Sequence, residues 1–147
     1  EDVGNLLRFA VHMRTTGPLP WKQVQMQDRF VLEWARGLPG NPETYIVSLL
    51  GTKPDGRSEF SFYSSFKDAE AFEAWLNTNV AGRRFHVISQ PTTDCQEIDP
   101  AVLTTIAADV LRLISQGATI VVMDSGGHTR SGAVANHLGA TSASGRM

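Results

Sequence analysis

Residues 119–132, TIVVMDSGGHTRSG, carry the reading of the fold: an apolar, β-branched run stops at Asp124 and passes through two glycines towards a short helical pattern, AVANHL. A run of this length bounded by turn residues predicts a strand buried on both faces. A buried strand that feeds a glycine-bearing loop and then a helix is a common arrangement for gripping an oxyanion. Successive backbone N–H groups converge on one point, and the helix N-terminus adds its partial positive charge. Here the candidate phosphate-binding residues are Ser125, Gly126, Gly127, His128, Thr129 and Arg130. Gly126 and Gly127 permit close backbone approach, and Arg130 offers a planar fork of donors to two oxygens. An ordinary surface turn remains the competing reading, since glycine pairs after strands are common.

Working outwards, Asp99 and Pro100 read as an N-cap and first helical residue for PAVLTTIAADVLRLISQG, with Gly117 as its stop. RRFHVIS before it predicts a strand, and Phe66, Ala69, Phe72, Trp75 and Leu76 stand at helical spacing. YIVSLL, residues 45–50, predicts a buried strand; SEFSFYS, with Phe60 and Phe62 alternating with polar residues, predicts a half-exposed one. The first third reads as helical, over Val3 to Arg14 and again over Trp21 to Leu38, where Val24, Phe30, Val31, Trp34 and Ala35 fall roughly on one face. The expectation is an α/β fold with a central, mainly parallel sheet flanked by helices. It forms one domain over residues 1–147, with an N-terminal helical extension of about residues 1–40.

Composition narrows the function classes. The 147 residues carry 13 Lys+Arg against 15 Asp+Glu, a net charge of -2 that offers no global basic footprint, so nucleic acid is not an expected partner. One cysteine, Cys95, permits neither an internal disulfide nor a cysteine-rich zinc site. No pair among His12, His86, His128 and His137 has convincing metal spacing, so no metal site is expected. No apolar run approaches the ~18 residues of a membrane span. The chain starts at Glu1 rather than Met, so an upstream segment is expected; EDVGNLLRF has neither a basic start nor a long apolar stretch, and a reducing, cytoplasmic setting is expected.

The order of residues after the strand resembles the phosphate-binding loop of the cysteine-dependent tyrosine and dual-specificity phosphatases. In that family a strand ends in His-Cys, five residues follow, and then come Arg and Ser or Thr. The resemblance puts Gly127 on the loop glycine, Arg130 on the phosphate-binding arginine and Ser131 on the hydroxyl that assists the leaving thiolate. The family's general acid lies about 30 residues upstream of its cysteine, and Asp94 stands 30 positions before Asp124. FHVISQPTTDCQEIDPAVLTTIAADVLRLI is similar to the family's strand, acid loop and helix in order. The resemblance spans roughly Tyr45 to Leu138 and implies a dual-specificity-phosphatase-like fold, hydrolysis of phosphomonoesters without a cofactor, and a phosphorylated protein or small phosphoester as partner.

The chain departs from the family at the reacting atom. Asp124 stands where the family has its nucleophilic cysteine, and Met123 where it has the preceding histidine. A carboxylate cannot form the phosphocysteine, so cysteine-type catalysis is not expected. A natural pseudophosphatase, an engineered cysteine replacement and a carboxylate-based enzyme all account for Asp124. The implied catalytic set is Asp94, Asp124, Arg130 and Ser131, with Asp99 as the rival acid assigned instead to the helix cap. Two alternatives stay open: a rhodanese-like regulatory module, a family that includes inactive members with Asp at the cysteine position, and a non-enzymatic interaction domain using Trp21, Phe30 and Trp34 as a partner face.

Overall fold

The computed structural model describes residues 6–12, 21–25, 27–93, 96–125 and 130–145. Along the chain run β1 (Leu6–His12), β2 (Trp21–Gln25), α1 (Asp28–Arg36), β3 (Glu43–Ser48), α2 (Glu59–Tyr63), α3 (Ala69–Asn79), β4 (Arg84–Ser89), α4 (Pro100–Ser115), β5 (Thr119–Asp124) and α5 (Arg130–Gly145). The strands form one sheet in the order β2-β1-β5-β3-β4. β3 pairs in parallel with both β4 and β5, while β1 is antiparallel to β5 and to β2. The fold is α/β, and the parallel part of the sheet is three strands wide.

β5 is buried along its whole length because it lies between β1 and β3 with helices over both faces. Val121 and Met123 join a core with Val31, Trp34 and Ala35 of α1 and Phe72 and Leu76 of α3. Ile120 and Val122, on the other face, join Ile106, Ala107, Val110 and Leu113 of α4 and Val134 and Leu138 of α5. The two-residue alternation of the strand thus splits one apolar run between two cores. α4 is bounded as its sequence dictates: Asp99 Oδ1 accepts the Ala101 N–H at 2.8 Å, Pro100 opens the helix, and Gly117 takes a φ of 86° just beyond its end. Asp68 caps α3 in the same way, accepting the Ala71 N–H at 2.9 Å.

The sequence expectation is corrected in two regions. Leu6–His12 and Trp21–Gln25 are strands, not an N-terminal helical extension, and among the described residues of the first forty only Asp28–Arg36 is helical. These strands make the sheet mixed rather than mainly parallel. Val24 does pack with Val31, Trp34 and Ala35, but from a strand rather than from the same helix face. The second correction is SEFSFYS, which forms the short helix α2. Residues two apart share a face in a strand, but stand roughly 200° apart around a helix. Phe60 is 5% exposed and Phe62 43%, as the helix requires.

Candidate functional site

The carboxyl ends of β3 and β5 open towards the same end of the sheet, the position at which parallel α/β sheets usually hold ligands. β5 delivers Asp124 and Ser125 there, and α5 begins at Arg130. Asp124, Ser125, Arg130 and Ser131 are all buried. Four residues named from the sequence therefore converge. Gly126, Gly127, His128 and Thr129 lie outside the described residues, as do Asp94 and Cys95.

Arg130 is held by a buried counter-ion 71 residues earlier in the chain. Its Nη1 donates to Glu59 Oε1 at 2.8 Å and its Nη2 to Glu59 Oε2 at 2.8 Å, a two-pronged pair with Glu59 fully buried. Nη1 also donates to Thr92 Oγ1 at 2.9 Å and to the Leu49 carbonyl at 3.3 Å, and Nη2 to Ser125 Oγ at 2.9 Å. Parallel bonds of this kind fix a guanidinium in one plane. Arg130 thereby ties α2, the end of β3, the segment after β4 and the end of β5 to the start of α5.

The remaining contacts around Glu59 explain how α2 reaches the site. Glu59 Oε1 accepts the Gly51 N–H at 2.9 Å, and the Glu59 N–H donates to the Gly51 carbonyl at 3.0 Å. A Cβ at Gly51 would lie 2.1 Å from the Thr92 carbonyl oxygen, so only glycine lets these backbones approach so closely. Thr92 in turn donates its N–H and its hydroxyl to the Leu49 carbonyl, at 3.1 and 2.7 Å. Glu59, Gly51 and Thr92 were not legible as site residues: SEFSFYS and GTKPDG carry only local turn and periodicity signals, and Thr92 stands in an unpatterned polar stretch.

Asp124 turns its carboxylate onto the first turn of α5, where Oδ2 accepts the Ser131 N–H at 2.7 Å. It is 1% exposed, and burial raises its pKa above the ordinary 3.8, opposed by the Ser131 N–H and by the charge of Arg130. The Ser131 hydroxyl lies close enough to favour the ionised carboxylate, yet makes no hydrogen bond of acceptable geometry and is buried without a partner among the described residues.

Other sequence candidates resolve into structure. Asp99 is the α4 cap and not part of this cluster. His86 stacks on Tyr45 with ring centroids 4.5 Å apart and pairs with Glu43, on β4 and β3. Trp34 is buried in the core and Phe30 packs against it, which removes Trp34 from any partner-facing surface; the Trp21 side chain is outside the described residues. Among the described residues no three of His, Cys, Asp and Glu are grouped to hold a metal ion, and no helix is long and apolar enough to cross a membrane.

The chain matches no protein-family model, no curated protein and no solved structure.

Proposed function

We propose that this chain is a phosphate-binding domain of the dual-specificity-phosphatase type in which cysteine-based catalysis is absent. The observation that carries the reading is the buried Arg130, clamped by Glu59 at the first residue of α5 and bonded to Ser125 at the end of β5. The start of a helix on the ligand-binding side of a parallel sheet supports an oxyanion reading, with Arg130, already paired to Glu59, fixing Ser125 at its edge. The resemblance of DSGGHTRS to the phosphatase loop supplies the chemical class: a phosphorylated protein or small phosphoester.

Asp124 takes the place of the nucleophile. Its carboxylate is a weak nucleophile and sits against the Ser131 N–H, which in a working loop would serve the phosphate or the reacting anion. Asp124→Cys tests the reading. A thiolate there would have the Ser131 N–H and the start of α5 to stabilise it, and the variant is expected to hydrolyse an aryl phosphate with accumulation of a phosphocysteine, while the unchanged protein does not. Turnover by the unchanged protein would overturn the inactive reading. An inert, folded Asp124→Cys protein that also binds no phosphate would overturn the phosphatase reading itself.

A further inference from the structure

β4 forms one edge of the sheet, and a cleft of about 440 Å³ lies against its first residues, lined by Glu73 and Asn77 of α3 and by Arg83, Arg84, Phe85 and His86. Clefts that hold small molecules usually enclose about 300–1,000 Å³. This one sits at the amino end of the parallel strands, opposite the end that carries Asp124 and Arg130. It is therefore separate from the phosphate-binding reading above.

Most of the cleft wall is fixed in place by the protein itself. Glu73 Oε2 accepts the Val87 N–H at 2.8 Å, and Asn77 accepts the Phe85 N–H at 2.8 Å and donates to its carbonyl at 2.9 Å. Arg83 Nη1 donates to the Asn41 carbonyl at 2.9 Å and to Thr44 Oγ1 at 2.6 Å, and its Nη2 to the Leu38 carbonyl at 2.5 Å. His86 is paired with Glu43 and stacked on Tyr45, and Phe85 is buried in the core. Opposite charges that line one cleft ordinarily close on each other. Among the described residues, however, none of Glu73, Arg83 and Arg84 forms an ion pair. The strand edge holds Glu73 back, neutral oxygens hold Arg83, and Arg84 is exposed. One negative and two positive charges are thus kept apart in one cleft, a preorganised arrangement for a ligand that brings the matching charges.

We propose that this cleft binds a small acidic amino acid, with its ammonium against Glu73 and its two carboxylates against Arg83 and Arg84. Arg83 and Arg84 are consecutive at the start of a strand, where successive side chains leave on opposite sides, so their positive charges are separated. A compact oxyanion meets one of them, whereas a chain ending in two carboxylates meets both. Arg83 uses three of its five N–H groups on the protein, which leaves donors for a carboxylate. A plain dicarboxylate would set an anion against Glu73, and an ammonium on the same molecule turns that repulsion into attraction.

The probes are L-glutamate, glutarate, which lacks the ammonium, and γ-aminobutyrate, which lacks one carboxylate. Each is titrated into the full chain with backbone amide NMR shifts as the readout. Glutamate is expected to shift residues 73–86 and to bind about tenfold more tightly than either analogue, since a hydrogen bond between charged groups is worth a factor of about ten or more. Arg84→Gln, at an exposed position, is expected to weaken glutamate about tenfold. Glu73→Gln keeps an oxygen for the Val87 N–H but loses the charge, and is expected to bind glutamate and glutarate equally. Should a variant fail to fold, the three probes on the unchanged protein decide the case. Equal affinities for all three, no shifts at residues 73–86, or glutamate shifts at residues 124–131 instead would overturn the proposal, as would unchanged glutamate affinity in both folded variants.

Discussion

Removal of the Glu59 carboxylate tests the core of the site. Glu59→Ala deletes three accepted hydrogen bonds, two from Arg130 at 2.8 Å and one from the Gly51 N–H at 2.9 Å. Both partners of the ion pair are at most 5% exposed, so water cannot easily replace the lost acceptors. Breaking one side of a buried ion pair costs about 3–5 kcal/mol, because a desolvated charge is left behind. That is a large share of the roughly 5–15 kcal/mol that stabilises a domain, and corresponds to a fall in Tm of roughly 6–20 °C at this chain length. Urea denaturation gives the free energy directly. The companion measurement is Glu59→Leu with Arg130→Met: replacing both charges by apolar groups of similar volume is expected to cost much less than the sum of the two single changes. A loss below about 1 kcal/mol in Glu59→Ala, or strict additivity in the pair, would refute the reasoning.

Three further perturbations follow from the same geometry. Gly51→Ala forces a Cβ to within 2.1 Å of the Thr92 carbonyl oxygen and is expected to cost about 1–3 kcal/mol in urea denaturation; an unchanged midpoint would mean the two segments separate freely. Because the folded-state pKa of Asp124 is raised, the native protein binds more protons than the unfolded chain just above 3.8, and stability is lost as pH rises through the folded value. Wild-type stability minus that of Asp124→Asn is therefore expected to fall with rising pH in that window, and a rise would contradict the sign. At the sheet edge, Asn77 accepts the Phe85 N–H at 2.8 Å and donates to its carbonyl at 2.9 Å, while Glu73 accepts the Val87 N–H at 2.8 Å. Asn77→Ala uncovers part of β4, with an expected cost of about 1–2 kcal/mol and concentration-dependent association in sedimentation; a monomer of unchanged stability would refute the edge-covering role.

What was legible in the sequence was local. TIVVMD is apolar enough to specify a central strand without knowledge of its neighbours, and Asp99-Pro100 at one end with Gly117 at the other bracket α4 unambiguously. Asp124, Ser125, Arg130 and Ser131 could be named as a group because they lie within eight consecutive positions. What was missed depends on distant partners. Leu6–His12 has no cap or period strong enough to choose a state, and pairing with both β2 and β5 makes it a strand. Glu59 shows no sequence sign of its role, since the residue that justifies burying its charge is 71 positions away. The two-residue spacing of Phe60 and Phe62 could not reveal which of them was buried, and that decides between strand and helix.

The central claim is that an oxyanion binds at the β5–α5 junction. Amide hydrogen exchange of the full chain with and without saturating inorganic phosphate tests it most directly. The account predicts slower exchange confined to residues 124–131, with the same protection absent from the Glu59→Leu, Arg130→Met protein. Unchanged exchange across residues 124–131, or protection only at a distant surface, would contradict it.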